Sequence, residues 1–346
     1  GRVNYTLADR YLLTLSVRRD GSSRFAPGNQ WGTFPAAALA WRVSDEGFMD
    51  NVEWVSDLKL RGSWGINGNQ TIGDYLWVPD YRYGDAFTRV QFGSEFVTTI
   101  RPTAVDPDIK WEETTSYNLG FDYGLFNDRL TGAVEYYHKD TDDLIFRVPV
   151  AAGTYVSNFV TTNVGSVRNQ GVEFSINARV LDGGRTGFRY DASFNAARNH
   201  NELLSVNAGS GSQRIEVGDI AGGQGSRIQV LQPGHAVNSF FVYHHNRDSR
   251  GRPVYSDVNG DGTIDDLDLY QDRNDDGKIT QDDRAAFRSP APEWLFGHTS
   301  QFGFRSVDLS FTLRANLGNY VYNNQASNQG YYNALKNAGG LTNLHA

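Results

Sequence analysis

WEETTSYNLGFDYGLFNDRLTGAVEYYHKDTDDLIF, residues 111–146, contains two long runs of alternating side chains joined by a tight turn, FNDR, at 126–129. In the first run the apolar set is Tyr117, Leu119, Phe121 and Tyr123, and the polar set is Ser116, Asn118 and Asp122. A period of two places alternate side chains on opposite faces of a β-strand. The segment therefore predicts an antiparallel hairpin with one apolar face and one polar face.

The same alternation recurs along the chain, whereas helical periodicity is nearly absent. It predicts strands at 2–6, 11–20, 31–43, 57–67, 111–125, 130–148, 171–181, 186–199, 293–304 and 307–317. Many of these exceed the average strand of globular proteins, which is about five or six residues. The sequence thus predicts an all-β chain of about ten strands, with one short helix in the segment 44–56.

Short and long connections alternate between the predicted strands. The short ones are LADR (7–10), the compact segment 44–56, FNDR (126–129), DGGRT (182–186) and RS (305–306), and the long ones are 21–30, 68–110, 149–170 and 200–292. A transmembrane β-barrel has tight periplasmic turns and long extracellular loops. We therefore expect residues 1–346 to form a partial antiparallel transmembrane β-barrel, with 200–292 as its longest extracellular loop.

Two soluble alternatives remain open at this point. A calcium-stabilised β-sandwich that binds carbohydrate would also alternate, but it would bury the apolar faces between its two sheets. A secreted β-rich glycosidase would need a pair of carboxylates in a cleft, which 40 acidic residues could supply. The position of the apolar faces separates these readings, because only a barrel wall turns them outward as a continuous band.

Composition excludes several other classes. The chain has no cysteine, which rules out disulfides and thiolate chemistry, and no apolar run near the length of a membrane helix, about 18 residues. Its net charge of −8 argues against a nucleic-acid partner. It contains no HExxH or GxSxG motif and no glycine-rich nucleotide-binding loop, so we expect no enzymatic activity.

Six blocks of the sequence resemble the SusC/RagA family of TonB-dependent outer-membrane transporters. They are YLLTLSVRRDGSSRFAPGNQWGTFPAAALAWRVSDEGFM (11–49), SDLKLRGSWGINGNQTIGDY (56–75), the opening segment (111–146), NVGSVRNQGVEFSINA (163–178), PVYSDVNGDGTID (253–265) and VDLSFTLRANLGNYVYN (307–323). The blocks occur in the family's order and cover nearly the whole chain. The resemblance therefore extends to the fold as well as to single motifs.

The resemblance implies a barrel of roughly 22 strands with a plugged lumen. It also implies import of a glycan or peptide across the outer membrane of a Gram-negative bacterium, a SusD-like surface lipoprotein over the outer mouth, and energy from TonB acting on the plug. The sequence shows no plug, TonB box or terminal aromatic strand. We therefore expect a fragment of a transporter, which would not insert into lipid or transport alone.

The stretch DVNGDGTIDDLDLYQDRNDDGKITQDD, residues 257–283, has the ligand spacing of two consecutive EF-hand-type calcium loops. The predicted ligands are Asp257, Asn259, Asp261, Thr263, Asp265 and Asp268 in the first loop, and Asp272, Asn274, Asp276, Lys278 through its backbone carbonyl, Thr280 and Asp283 in the second. Position 12 is Asp in both loops, where an EF-hand has Glu, so we expect a rearranged coordination.

This Asp-rich stretch carries ten Asp and two basic residues, a formal charge of −8 that equals the charge of the whole chain. Unpaired, so many carboxylates would repel one another, and Ca²⁺ would neutralise part of the excess. We therefore expect structural Ca²⁺ that orders an outer loop. The alternative is an Asp- and Gly-rich turn that binds no metal.

Aromatic residues in the long loops are candidates for substrate contact, because aromatic rings can stack on the faces of sugars. The candidates are Trp77, Tyr81, Tyr83, Phe241 and Tyr243. The alternative for each is packing of one loop against another. The identity of the substrate does not follow from the sequence.

Overall fold

The computed structural model describes residues 1–83, 89–150, 155, 157–184, 187–206, 214–220 and 227–325. In these residues the chain forms twenty strands, which are β1 (Arg2–Leu7), β2 (Tyr11–Gly21), β3 (Trp31–Arg42), β4 (Val55–Asn69), β5 (Tyr81–Tyr83), β6 (Arg89–Phe92), β7 (Glu95–Thr98), β8 (Ile100–Pro102), β9 (Glu112–Leu125), β10 (Leu130–Asp142), β11 (Ile145–Pro149), β12 (Phe159–Asn163), β13 (Gly165–Asp182), β14 (Phe188–Val206), β15 (Ile215–Asp219), β16 (Arg227–Leu231), β17 (Ser239–Val242), β18 (Ala285–Ala286), β19 (Trp294–Phe304) and β20 (Val307–Leu317). One α-helical turn, α1, spans Asp266–Leu269, and 3-10 helices span Val43–Asp45, Gly47–Met49 and Gln281–Asp283.

Ten long strands form one antiparallel sheet in the order β1-β2-β3-β4-β9-β10-β13-β14-β19-β20. These are the ten predicted strands, and the fold class is confirmed. The short helix expected within 44–56 is present as two 3-10 helices. Thr186, where one predicted strand begins, lies outside the described residues.

Three strand boundaries differ from the prediction by six or seven residues. The predicted strand 130–148 ends at Asp142, because Asp143 adopts a left-handed φ of 56° that interrupts the ladder. The following segment, β11, pairs instead with β12 in a separate two-stranded ribbon. Strands β13 and β14 extend further than predicted, from Gly165 and to Val206, and pair along that added length.

The two ends of this sheet differ in their connections. At one end, here called the turn end, β1 joins β2, β9 joins β10 and β19 joins β20 through turns of two to four residues. These turns contain residues with positive φ, namely Ala8, Asp9, Phe126, Asn127, Asp128 and Arg305. Their left-handed geometry matches the twist of a tight hairpin. The long excursions all leave from the opposite end, called the loop end.

One face of the sheet carries an unbroken apolar row across all ten strands. Cross-strand pairing links Leu7, Tyr11, Trp41, Leu60, Phe121, Val134, Phe174, Ala196, Phe296 and Ala315. We call this the outer face. Among its side chains Leu119 is 65% exposed and Leu309 is 61% exposed. A contiguous exposed apolar surface of this kind is stable in lipid and not in water.

The outer face rules out the sandwich alternative, because a second sheet would cover these side chains and, among the described residues, none does. Tryptophans border the apolar band near the loop end, at Trp31 and Trp294, where Arg19 and Arg198 lie over their rings. Such aromatic borders mark the two membrane–water interfaces of a transmembrane barrel. Among the described residues, no helix has the length and apolarity needed to cross a membrane.

A second aromatic border lies at the turn end. Its side chains are hydrogen-bonded to Glu46, which lies between the first two 3-10 helices. The rings of Tyr11 and Trp41 are stacked with centroids 6.3 Å apart. Tyr11 Oη donates to Glu46 Oε1 at 2.6 Å, Trp41 Nε1 donates to the same oxygen at 3.0 Å, and Arg10 Nη1 reaches Oε2 at 3.0 Å. These donors hold the pKa of Glu46 below its usual range, the Tyr11 hydroxyl contributing most.

The inner face is polar. Near the turn end Lys59 Nζ lies 2.8 Å from Asp122, and Arg61 pairs with both Asp122 and Glu135, the latter at 2.7 Å. Charged side chains on this face suit a lumen filled with water or protein. The alternating apolar and polar side chains of each strand therefore face lipid and lumen, respectively.

The chain divides into two compact units. The first comprises Gly1–Gln213 with Pro292–Gly318, and the second comprises Arg214–Ala291 with Asn319–Ala346. The first holds the ten-stranded sheet and a buried cluster of Phe25, Phe34, Ile109 and Trp111. The second is built on a small sheet in the order β15-β16-β17-β18, with Val230, Leu231, Phe240 and Phe241 buried.

Candidate functional site

The first Asp-rich loop is closed by hydrogen bonds from its own backbone. Asp257 accepts from the N–H groups of Gly260 (2.6 Å) and Gly262 (2.9 Å), and Asn259 Oδ1 accepts from the N–H of Asp261. Both glycines have positive φ, 80° and 88°, which the sharp bend requires. The side-chain oxygens at positions 1, 3 and 5 are thereby drawn in toward the backbone of the loop.

The second loop repeats this geometry. Asp272 accepts from the N–H of Gly277 at 2.8 Å, and Asn274 Oδ1 accepts from the N–H of Asp276 at 3.1 Å. Asp276 in turn accepts from the N–H of Lys278 at 2.9 Å. Gly277 has a φ of 75°. Two sequences fifteen residues apart therefore form the same loop, as their shared spacing predicts.

Both position-12 carboxylates are fully buried. Asp268 accepts from the N–H groups of Val258 and Asn259 with one oxygen and from that of Asp265 with the other, at 2.7 to 3.1 Å. Asp283 accepts equivalent bonds from Arg273 and Thr280. These donors hold the pKa of both carboxyl groups below the usual value. Each carboxylate also closes a capping box at the short helix that follows its loop.

The donor set fits a hard cation, since carboxylate, amide and backbone oxygens occur at alternate positions around a glycine turn. Among the described residues, no three His, Cys, Asp or Glu side chains are close enough to form a metal cluster, so acidic groups alone do not complete the ligand set. A carboxylate offers about four lone-pair sites. Asp268 already uses three of them, which leaves room for a single bond to a cation.

Both loops are attached to one extended segment, residues 239–247. The side-chain Nδ2 of Asn246 donates to the carbonyls of Leu267, Asp268 and Tyr270 at 3.0 to 3.1 Å. The backbone of this segment also pairs with Val254 before the first loop, with Leu269 and Gln271 between the loops, and with Ala285 and Phe287 after the second. Each loop is therefore held at both of its ends by the same segment.

The aromatic candidates divide into buried and exposed residues. Phe241 is 2% exposed, with the guanidinium groups of Arg214 and Arg284 lying 5.0 and 4.6 Å from its ring, so its ring packs inside the second unit and the sugar contact there stays a prediction. Trp77 is partly buried and packs against the buried cluster of the first unit. Tyr81 and Tyr83 are 63% and 73% exposed on β5, and Tyr243 is 37% exposed.

Tyr243 belongs to a group of rings that sequence reasoning did not assemble. Its ring lies 5.7 Å from that of Tyr270, the His245 ring lies 4.7 Å from Tyr270, and Tyr255 lies 5.8 Å from His245. We call these four side chains the aromatic row. They come from three segments of the chain, 243–245, 255 and 270, which meet because 244–246 pairs with both 254 and 269–271. No local pattern could have indicated this.

Two titratable side chains of the second unit also lacked a clear signal in the sequence. Arg284 directly follows the second loop, is almost fully buried, and pairs with Glu216 at 3.0 Å and with the carbonyl of Arg227 at 2.9 Å. His244 is partly buried, and its burial, together with Arg273 and Arg247, lowers its pKa. Its Nε2 has no hydrogen-bond partner among the described residues.

An open sheet with an apolar outer face, aromatic borders and a charged inner face is the wall of an outer-membrane β-barrel. Residues 1–245 match the family model described as "TonB dependent receptor-like, beta-barrel". The chain therefore belongs to the TonB-dependent receptor family, whose members are outer-membrane proteins of Gram-negative bacteria.

Individual relatives confirm the resemblance to the SusC/RagA group. The chain is 40% identical over 332 residues to the TonB-dependent receptor SusC of Bacteroides thetaiotaomicron, covering 95% of this chain and 32% of SusC. It is 33% identical to the TonB-dependent receptor P39 of Formosa agariphila, covering 93% and 32%. The chain thus spans about a third of the length of the relatives it matches.

A solved structure shares the fold. The structure of the RagAB peptide transporter superposes with a TM-score of 0.74 at 22% identity, covering 94% of this chain and 34% of that chain. At this identity the match concerns the fold. It confirms the partial barrel, in which ten strands make up one continuous part of a larger wall.

Proposed function

We propose that this chain forms part of the barrel wall of a TonB-dependent nutrient importer of SusC/RagA type. The observation that carries the proposal is the apolar row across all ten strands, which faces lipid while charged groups such as Arg61 and Glu135 face the lumen. In this arrangement the wall encloses the path of the solute, and the long connections at the loop end lie on the outer surface of the cell. The chain catalyses no reaction.

The proposed importer works with three partners. A plug fills the lumen, TonB acts on that plug, and a SusD-like surface lipoprotein closes the outer mouth over a glycan or peptide substrate. Support comes from the identity to SusC and from the RagAB fold, both of which belong to this transporter group. The inner face offers the plug a polar wall of ion pairs, and the loop end offers the lipoprotein several long loops.

A deletion of the gene in its native host tests this function. We expect the deleted strain to lose uptake of one class of fluorescently labelled oligosaccharide or oligopeptide, and to regain it on complementation. Uptake should also stop when the proton motive force is collapsed, because TonB draws on it. Equal uptake by the parent, the deleted strain and the de-energised cells would show that the protein is not an importer.

We further propose that the two Asp-rich loops hold structural Ca²⁺ in the 200–292 connection, which is extracellular in this reading. The side chains of Asp257, Asn259 and Asp261 with Thr263 would hold one ion, and the corresponding positions of the second loop would hold another. The ion would supply positive charge to a stretch with a formal charge of −8. The shared closed geometry of the two loops supports this assignment.

Terbium, a luminescent substitute for Ca²⁺, tests the calcium proposal on the whole protein, because Tyr255 and Tyr270 are near enough to the loops to sensitise it. We expect Asp261→Asn and Asp276→Asn each to remove part of the luminescence that Ca²⁺ competes away. Asp275→Asn removes the same charge from a side chain outside the ligand set and should leave the signal unchanged. No luminescence at millimolar terbium, or an equal loss in the Asp275 variant, would overturn the proposal.

A further inference from the structure

The edge of the apolar band at the loop end runs obliquely across the outer face. On β2 the last apolar side chain of this face is Val17, six residues beyond the row residue Tyr11, whereas on β14 it is the row residue Ala196 itself. The edge thus shifts by six residues over the six strand steps from β2 to β14. With about 3.3 Å per residue and about 4.8 Å per strand, this shift corresponds to a tilt of about 35°. Strands of a transmembrane barrel have this tilt, so the edge of the band lies at one height in the membrane.

Three basic side chains lie in the first polar layer beyond this edge. With the same shift of one residue per strand, Arg19 on β2, His138 on β10 and Arg198 on β14 lie at one height. The carboxylates at this end of the outer face lie at least two residues further toward the loop end; they are Glu113, Asp140, Asp142 and Glu202. His138 is bonded to Asp140 at 3.1 Å. The two arginines therefore carry the positive charge of this layer.

Arg19 is supported by an aromatic ring and has no acidic partner. Its guanidinium lies 5.2 Å from the ring centroid of Trp31, which is 61% exposed. The ring passes directly over Gly21, where a Cβ atom would meet it at 2.9 Å. Among the residues that the structure describes, no carboxylate forms an ion pair with Arg19, whereas the neighbouring Arg18 on the inner face pairs with Asp20 at 2.7 Å. The donors of Arg19 are therefore available on the lipid side of the wall.

Arg198 repeats this arrangement on β14. Its guanidinium lies 5.5 Å from the ring centroid of Trp294, and that ring stacks on Phe296 at 5.7 Å. Its ion-pair partner Glu293 is 3.8 Å away, beyond hydrogen-bond distance. The six strand steps between the two arginines, each about 4.8 Å, separate them by about 29 Å. The two Arg–Trp pairs are therefore separate sites at one height.

The height of the two pairs indicates what they bind. Both lie at the boundary between hydrocarbon and water, where tryptophan is enriched and lipid headgroups lie. A guanidinium can form two parallel hydrogen bonds with a phosphate. The long connections mark the loop end as extracellular, so the headgroups at this height belong to the outer leaflet. In Gram-negative bacteria the phosphate-bearing lipid of that leaflet is lipid A.

We propose that Arg19 with Trp31, and Arg198 with Trp294, are two binding sites for the phosphate groups of lipid A. Each guanidinium would pair with a phosphate, and the tryptophan ring would lie against the apolar part of the same lipid. The carboxylates further out would leave the phosphate layer free of negative charge from the protein. Both sites rest on the proposed barrel wall for their place in the membrane, but the binding of lipid does not depend on transport.

Native mass spectrometry of the full-length protein, purified in detergent, tests the two sites. The probes are monophosphoryl lipid A, the same lipid after removal of its phosphate, phosphatidylglycerol and phosphatidylethanolamine. We expect lipid A to be retained at both sites and the dephosphorylated lipid to be lost. Arg19→Ala and Arg198→Ala should each weaken binding at one site by about fivefold, the effect of a single cation at an anionic lipid surface. The double alanine variant should lose both sites.

Matched variants separate the headgroup contact from other effects. Arg18→Ala removes an arginine from the inner face of the same strand, where it pairs with Asp20, and should bind lipid A like the parent protein. Arg19→Lys keeps the charge but not the two parallel hydrogen bonds, and should bind with intermediate affinity. Trp31→Leu keeps an apolar side chain without the ring and should also weaken binding. Circular dichroism of each variant checks that the fold is retained.

The headgroup sites are refuted if lipid A is not retained, if its dephosphorylated form binds as tightly, or if the double alanine variant binds like the parent protein. An equal loss in Arg18→Ala, or arginine-dependent binding of phosphatidylglycerol alone, also refutes them. Uptake assays on the same variants keep the two proposals apart. Uptake without arginine-dependent lipid binding would remove the headgroup sites and leave the importer. Arginine-dependent lipid binding by a protein that supports no uptake would do the reverse.

Discussion

Replacement of Asn246 tests whether the two Asp-rich loops depend on a single side chain. Its Nδ2 carries two hydrogens and serves three carbonyls, those of Leu267, Asp268 and Tyr270. A net hydrogen bond contributes about 1 kcal/mol, so Asn246→Ala should cost the local structure about 2 kcal/mol. Asn246→Asp has nearly the same shape but places a carboxylate against three carbonyl dipoles, and should cost about 3 kcal/mol.

Hydrogen–deuterium exchange measures this loss of local stability at individual backbone amides. The N–H of Tyr270 donates to the carbonyl of Asp266, and the N–H of Gln271 donates to the carbonyl of His244. Both amides lie in the segment between the two loops, which the side chain of Asn246 contacts. A loss of about 2 kcal/mol in local opening corresponds to a roughly 30-fold faster exchange at these amides. The sheet amides of β9 and β10 belong to the other unit and should exchange at the parent rate.

Ser249→Ala, an exposed change in the neighbouring hairpin, is the matched control and should leave exchange at Tyr270 and Gln271 unaltered. Exchange in Asn246→Asp as slow as in the parent protein would show that the side chain does not hold the loops, because a carboxylate cannot donate to the three carbonyls. Uniformly faster exchange over both units in Asn246→Ala would also contradict the prediction, since the loss would then be global and not local to the loops.

Three further predictions concern the membrane and pH. Leu119→Arg should destabilise the barrel in lipid by about 2–4 kcal/mol, as measured by urea unfolding in bilayers. The neighbouring change Asn118→Arg, on the lumen side, should not destabilise it. Equal effects of the two changes would contradict the assignment of the lipid and lumen faces. Glu46→Ala frees three donors and should lower the thermal midpoint more than the exposed Glu53→Ala does. The pKa of His244 is lower in the folded protein than its ordinary value of 6.5. The contribution of its neutral form to stability is therefore present above pH 6.5 and should be lost as the pH falls below 6.5. In thermal melts, His244→Phe should reduce this dependence of stability on pH.

The strands of the wall could be predicted from sequence because their pattern is local. Each strand lies between lipid and lumen, so apolar and polar side chains must alternate along it. All ten predicted strands are present. The exception at Asp143 shows the limit of the pattern, since alternation continues through residues 145–149 while a left-handed φ ends the ladder. A period of two indicates a strand but not its partner.

The second unit was harder to predict for the opposite reason. Its strands are two to five residues long, too short to show a period, and its stability comes from contacts distant in sequence such as Arg284 with Glu216. The geometry of the Asp-rich loops followed from their spacing, because glycine and Asp–backbone bonds act within twelve residues. The position of the aromatic row did not follow from spacing, because it depends on the backbone pairing of 244–246 with two separate segments, 254 and 269–271.

Strands β14 and β19 are paired side by side although the whole segment 207–293 lies between them in the chain. The pairing of β14 with β19 therefore does not depend on the length or sequence of the segment inserted between them. On the proposed import function, an exchange of this segment between related transporters would change the connection between β14 and β19 and leave the lipid-facing surface of the ten-stranded sheet intact.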